Sequence, residues 1–136
     1  MPFWILGGRR FVIRRKPRPK PAGPDVERMR ASAHEQLPPR ARELASKYGF
    51  RPVRIFIRNN RTNWGSCSSK GNINLNLHLM KVSPELRDYV ILHELCHLRH
   101  LNHGPEFHAL LNELCMAELG EPEKSLGARL KRQKVL

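Results

Sequence analysis

The chain has 136 residues, a hydrophobic fraction of 40% and a formal charge of +13, from 25 Lys and Arg against 12 Asp and Glu. This length fits one domain with a single core, and no apolar run is long enough to cross a membrane. The cysteine count of three is odd and the spacing is unpaired, which argues against a disulfide framework or a four-cysteine zinc site. We expect a monomeric cytoplasmic protein with reduced thiols and no membrane partner.

The first 24 residues combine a short apolar run with seven Lys and Arg and no acid. Phe3 to Leu6, Gly7-Gly8 and Arg9 to Ile13 predict a β-hairpin, and the opening run is too short for a signal peptide. The following Pro-rich stretch is extended, and cations there favour polyanions through counterion release. The candidate nucleic-acid contacts are therefore Arg14, Arg15, Lys16, Arg18 and Lys20. Solvated tails are an equally good interpretation, here and in the second basic run from Lys124 to Lys134.

Residues 25–48 carry a helical pattern that is interrupted by two adjacent prolines. Proline lacks the backbone N–H that a helix interior needs, so Pro38-Pro39 predicts one helix up to Gln36 and another from Pro39. Gly49 supplies the stop signal for the second helix.

Two strands are predicted next, on either side of a polar loop. Apolar residues alternate through residues 53–57 and again from Ile73 to Leu77, while residues 59–71 form a polar loop around Trp64. The second strand shows asparagines on its other face, which are either solvated or in contact with a ligand. An extended peptide can bind by β-addition to an edge strand. On that hypothesis this strand is an edge strand, and the candidate substrate contacts are Trp64, Asn74 and Asn76.

The most informative motif is His93-Glu94-Leu95-Cys96-His97. Ser83 and Pro84 predict the N-cap and first residue of the helix that carries it. With 3.6 residues per turn, His93 and His97 lie on one face and can direct two imidazoles at one tetrahedral ion. Glu94 lies beside that stripe, within reach of a metal-bound water. This arrangement is typical of metal-assisted hydrolysis, although half-buried histidines on an ordinary amphipathic helix share the spacing.

A third ligand is needed, and several residues qualify. His103 follows in a tight connection that Asn102 and Gly104 predict, before a helix that begins at Pro105-Glu106. Catalytic zinc commonly takes a third His or a Glu from a following helix. His103 is the preferred candidate, and the alternatives are His100, His108, Glu113 and Glu118. Cys96 is more simply a small buried residue than a ligand.

Four blocks together resemble a known family. They are Asn63 to Ser69 (N-W-G-S-C-S-S), Asn72 to Asn76 (N-I-N-L-N), the H-E-L-C-H motif and Asn102 to Phe107 (N-H-G-P-E-F). In this order and spacing, over about residues 40 to 115, they resemble the YgjP-like zinc metallopeptidases, relatives of the SprT and Spartan-type proteases. The resemblance implies His93, His97 and His103 as zinc ligands and Glu94 as the catalytic acid/base.

The sequence departs from the family pattern at two positions. Asn63 stands where the family usually has Arg, with Arg61 close by, and His108 stands where an aromatic residue is expected. The first departure concerns a substrate or structural contact, and the second leaves the metal site intact.

The fold expected from these features is α+β. It is a small zincin-like domain in which a short antiparallel or mixed sheet packs on the metal helix, with flanking helices. We predict a basic hairpin or extension over residues 1–24, the metallopeptidase domain over 25–120, and a basic tail or helix over 121–136.

The predicted function is that of a zinc metallopeptidase with one Zn²⁺ per chain and a peptide or protein substrate. Zinc lowers the pKa of its water from about 15.7 to near 7, and Glu94 activates that water to attack a carbonyl. Tyr89 and Asn76 are candidates for a further oxyanion donor, and Tyr89 is at least as plausible as a core residue. The alternative function is a polyanion-binding module with a structural zinc, closed by a fourth ligand from His108, His100 or Cys96.

Overall fold

The computed structural model describes residues 4–6, 9–11 and 23–135. Strands β1 (Trp4–Leu6) and β2 (Arg9–Phe11) pair antiparallel, with Trp4 opposite Phe11, which confirms the predicted hairpin strands. The Gly7-Gly8 turn and the five candidate cations of residues 14–20 lie outside the described residues.

Four helices and a three-stranded sheet form the main body, which confirms the α+β class. In chain order the elements are α1 (Pro24–Tyr48), β3 (Arg54–Arg58), β4 (Gly65–Cys67), β5 (Asn72–Asn76), a 3₁₀ helix (Leu77–Lys81), α2 (Pro84–Cys96), α3 (Pro105–Leu119) and α4 (Glu123–Lys131). Within the described residues, no helix combines the length and apolarity needed to cross a membrane.

Helix α1 runs without a break through Pro38 and Pro39, so the predicted division into two helices is wrong. The prolines forfeit two backbone hydrogen bonds, but the helix keeps one buried stripe on both sides of them. Ala33 and Leu37 precede the prolines on this stripe, and Ala41 and Leu44 follow them. Burial of that continuous face stabilises a helix that local propensity disfavours.

The sheet has the order β3-β5-β4, with β3 parallel and β4 antiparallel to β5. β5 is therefore the central strand, and the prediction that it forms a sheet edge is wrong. The edge beside α2 belongs to β4, a three-residue strand inside the segment predicted as a loop. Only three residues of polar and small character pair here, too few to show an alternating pattern.

Strand β5 is also shorter than predicted, because the chain turns into the 3₁₀ helix after Asn76. The Asn76 side chain caps that helix by accepting from the His78 backbone N–H at 3.1 Å. Ile73 and Leu75 on the other face of β5 are fully buried. They belong to the same apolar core as Leu92 and Leu95 of α2, so the sheet supports the back of the motif helix.

Helix α4 occupies most of the basic C-terminal segment. Leu126 is fully buried and joins the main core, and Arg129 pairs with Glu121 at 2.7 Å and with Glu85 at 3.2 Å. Within residues 121–135 the chain is helical over Glu123–Lys131.

A network of charged groups ties α1, α2 and α3 together. Arg40 donates to both oxygens of Asp88 at 3.0 and 2.8 Å and to Glu118 at 3.2 Å. Lys47 and the Tyr48 hydroxyl donate to the other Glu118 oxygen, at 2.7 and 2.8 Å. The hydrogen bond from Lys47, with that from Tyr48, lowers the pKa of Glu118 below its usual value.

We therefore expect Glu118→Gln to flatten the acid side of the stability profile. A carboxylate with a depressed pKa in the folded state adds stability above its unfolded pKa, and that stability is lost as pH falls through the folded value. The variant should lose about 1–2 kcal/mol at pH 7 and progressively less below pH 4.5. Urea denaturation of chelator-treated protein across this range measures the effect without metal release. The control is Glu113→Gln, an exposed glutamate on the same helix; equal profiles for the two variants would contradict the assignment.

Candidate metal centre

Three imidazole rings converge at the C-terminal end of α2. His93 and the C-cap residue His97 are one turn apart, with ring centroids 5.0 Å from each other. His103 turns back from the connection to α3 and brings its Nε2 to 2.9 Å from His97 Nε2. One ring nitrogen from each of the three lies within 4.8 Å of the other two. The structure thus brings together the three histidines that the motif and the resemblance named.

The connection that carries His103 is anchored to the end of α1. Arg99 donates to the carbonyl oxygens of Tyr48 at 3.2 Å and Gly49 at 3.0 Å. Its guanidinium also lies 4.1 Å from the centroid of the Phe50 ring, a favourable cation–π contact. These contacts hold the first turn after the motif, so His103 does not depend on the loop alone for its position.

Backbone contacts also set which nitrogen of His97 faces the site. His97 Nδ1 lies 3.0 Å from the carbonyl oxygen of His100. A carbonyl only accepts, so Nδ1 must carry the proton and Nε2 keeps its lone pair for a metal ion. The backbone carbonyl of His100 thus orients the His97 ring.

Phe107 forms the floor beneath the three rings. It is fully buried, and its ring centroid lies 5.1, 4.5 and 4.9 Å from those of His93, His97 and His103. In the sequence, Phe107 stands out only as the last residue of the fourth block. Phe107 lies in the first turn of α3, four residues after His103. An aromatic residue at that position is the sequence feature that could have predicted contact with the histidine rings.

Glu94 is buried beside this cluster, 5% exposed, with Oε2 3.3 Å from His93 Nδ1. The edge strand passes directly over it at Gly65. A Cβ at Gly65 would lie 3.1 Å from Glu94 Cγ, 3.2 Å from its Oε2 and 3.0 Å from the Asn74 carbonyl oxygen. A residue without a side chain lets β4 approach the carboxylate this closely. This role of Gly65 was not predicted.

The three histidines suit a zinc ion by chemistry as well as by spacing. Zinc accepts neutral imidazole nitrogens at about 2.0–2.1 Å. Burial, followed by the charge of His97 and of His93, lowers the pKa of His103, so its ring is neutral and able to donate a lone pair at neutral pH.

The alternative third and fourth ligands are engaged elsewhere. His108 Nδ1 lies 2.8 Å from Glu123, and His100 Nδ1 lies 3.6 Å from Glu106. Glu118 belongs to the network with α1, and Glu113 is exposed. Burial raises the pKa of the Cys96 thiol to about 12, so it is not a ready thiolate. Across the described residues, the cluster that could hold a metal ion consists of these three histidines.

The three predicted substrate contacts divide between two cavities: Asn74 and Asn76 line one of about 300 Å³, and Trp64 lines another. Trp64 lines a cavity of about 220 Å³ together with Glu94. Asn74 lies on the outer face of the sheet, where it accepts from Arg58 at 3.2 Å and donates to Ser66 at 3.1 Å.

Asn76 is buried, and its amide donates to the carbonyl oxygens of Asn60 and Asn63, both at 2.8 Å. Its two amide donors therefore hold the loop before β4, and Asn76 as a substrate or oxyanion contact stays a prediction.

The family model described as YgjP-like, metallopeptidase domain, matches residues 25–126. The chain belongs to the YgjP-like family. Family membership confirms the predicted zinc metallopeptidase function and the zinc cofactor. A peptide or protein substrate follows from the same membership.

Two solved structures share the fold of this YgjP-like chain. The metallopeptidase zymogen abylysin of Pyrococcus abyssi superposes with a TM-score of 0.56 at 22% identity, over 68% of this chain and 89% of its own. The metallopeptidase zymogen jannalysin of Methanocaldococcus jannaschii gives 0.55 at 21% identity, over 68% and 90%. No curated protein matches the chain.

Proposed function

We propose that His93, His97 and His103 hold the zinc ion and that Glu94 is the acid/base of peptide hydrolysis. The observation that carries this assignment is the convergence of three ring nitrogens within 4.8 Å, beside a buried carboxylate. Zinc bound there supplies a Lewis acid that polarises the scissile carbonyl and makes water acidic. Glu94 accepts the proton of the attacking water and then delivers it to the leaving amine.

The substrate in this proposal is an extended peptide that pairs with the free edge of β4. β4 has β5 as its neighbour in the sheet, and Gly65 lies against Glu94. A peptide on this edge receives main-chain hydrogen bonds that align it past the carboxylate. In this proposal β4, which lies at the edge of the sheet, receives the peptide, and β5 does not.

The proposal is tested by incubating zinc-loaded protein with an unfolded protein substrate and identifying the products by mass spectrometry. We expect fragments that disappear when a chelator is present and return when zinc is restored. Fragments that persist in metal-free protein, or no fragments under any condition, would contradict it.

A second role, nucleic-acid binding by the N-terminal basic residues, is supported by charge alone. Residues 1–24 hold seven cations and no acid, outside the family match. A salt-sensitive affinity with little sequence preference is expected of such a segment. The polyanion-binding module with a structural zinc has less support, because structural zinc normally takes four protein ligands and the cluster in the described residues has three.

Deleting residues 14–21 removes five cations and should weaken DNA binding, with a shallower dependence on salt. Zinc content and cleavage of a short peptide should remain unchanged. A matched variant that replaces the same five cations with Gln keeps the chain length and should reproduce the effect in a salt titration. Unchanged DNA affinity in both variants would show that these residues are solvated and have no part in binding.

A further inference from the structure

The cavity of about 220 Å³ beside Glu94 has one wall that comes from beyond the family match. Trp64 from the loop, Tyr89 and Val90 from α2 and Leu130 from α4 supply its apolar lining, and Thr62 and Asn63 of the loop add uncharged polar groups. His93, Glu94 and Gly65 border it on the side of the metal centre. The match ends at residue 126, and Leu130 lies four residues beyond it on the C-terminal helix α4. We call this cavity the Leu130 pocket.

We propose that the Leu130 pocket binds an apolar side chain of the substrate next to the scissile bond, and that Leu130 limits the size of that side chain. This inference rests on the proposed function, because it places the peptide along β4 and past Glu94. Gly65 and Glu94 border both the pocket and the path of the peptide. A side chain that leaves the strand at this point therefore enters the pocket.

The position of Leu130 is set by contacts along α4. Leu126, one turn earlier, is fully buried in the core. Gly127 approaches α2 so closely that a Cβ there would lie 3.1 Å from the Tyr89 hydroxyl. Arg129 pairs with Glu85 in the first turn of α2. These three contacts hold α4 against α2, so the pocket is formed before a peptide arrives.

The chemistry of the lining selects an uncharged side chain. Apart from His93 and Glu94 at the metal side, no residue lining the pocket carries a charge. A charged substrate side chain would lose water without gaining an ionic partner, which is costly. A hydrophobic pocket distinguishes side chains that differ by one methylene by about 10- to 200-fold. The expected residue is one of the size of Leu, Met or Phe.

The experiment compares peptides that differ at one residue on either side of the cleaved bond, with Gly, Ala, Leu, Phe or Trp at that position. The wild-type protein should cleave the Leu peptide at least about tenfold better than the Gly peptide in kcat/KM. Leu130→Ala should move the preference toward Phe and Trp, and Leu130→Trp toward Ala and Gly. The control is Leu110→Ala, a half-buried leucine packed on the core but absent from the pocket; it should keep the wild-type ratios. Leu130→Val, which removes one methylene group, replaces the alanine variant if circular dichroism shows that the latter is unfolded, and should shift the preference in the same direction.

Peptide binding to the Glu94→Gln variant, followed by fluorescence polarisation, separates this inference from the proposed function. If the wild-type protein cleaves peptides but the Leu130 variants keep its side-chain preference, the inference about the Leu130 pocket is refuted and the proposed peptidase function is not. If no peptide is cleaved, the proposed function fails. The inference then stands only if adding Leu130→Trp to Glu94→Gln reduces binding of the Leu peptide relative to the Gly peptide, and is overturned if it does not.

Discussion

Glu94→Gln is expected to retain zinc and fold while losing peptide hydrolysis by about 10²- to 10⁴-fold, the usual contribution of a general acid/base. Glutamine has nearly the same volume, so it fits the space that Gly65 leaves above the side chain. It also preserves a polar contact with His93, which the carboxylate makes at 3.3 Å. What it lacks is the ability to accept the proton of the attacking water.

The measurement is kcat/KM on a peptide that the wild-type protein cleaves, with zinc content determined on the same sample. Glu106→Gln is the matched control, because Glu106 also lies near the site but its side chain is 87% exposed. Its activity should equal that of the wild type. Equal cleavage by Glu94→Gln would refute the acid/base role, and loss of zinc would show that Glu94 acts on the metal site instead.

His103→Ala is expected to weaken zinc binding by roughly 10²-fold or more, since structural and catalytic sites draw several kcal/mol from each ligand. Its Nε2 lies 2.9 Å from that of His97 and is one of the three convergent nitrogens. Removing it leaves two ligands on one helix turn. The variant should therefore contain little zinc after purification. When zinc is added, it should give the metal up to a chromophoric chelator at concentrations at which the wild-type protein retains it.

His100→Ala and His108→Ala serve as controls for this prediction. Both histidines face carboxylates outside the cluster, so their variants should keep full zinc. His100 orients His97 through its backbone carbonyl, which alanine retains. Full zinc in His103→Ala together with loss in His108→Ala would identify His108 as the third ligand.

The local sequence correctly predicted features that involve residues within one or two helix turns of each other. The spacing of His93 and His97 sets their common face, and Ser83-Pro84 marks the start of α2 as observed. The same holds for α3, which begins at Pro105 as predicted. These features depend on hydrogen bonds and dihedral preferences within a few residues, so a pattern in the chain reports them directly.

The two wrong predictions, a break in α1 and an edge position for β5, concern features that depend on contacts between residues far apart in the chain. The prolines of α1 are accommodated because a buried stripe on both sides packs against distant elements. β5 is the central strand because β4, a three-residue strand within the predicted polar loop, pairs with its second edge. Neither the packing of α1 nor the pairing of β4 with β5 can be predicted from the residues of α1 or β5 alone.

What the sequence by itself determined is the α+β class, the motif helix and the common face of His93 and His97, because short-range spacing dictates which residues share a helix face. The place of His103 beside them depends on how the connection to α3 folds back. Only the tertiary structure decided the surroundings of Glu94: the edge strand that Gly65 brings over it, the floor that Phe107 forms, and the wall that Leu130 adds from α4. Those residues meet across large separations in the chain. Their proximity results from packing several elements around one core, which no local periodicity encodes.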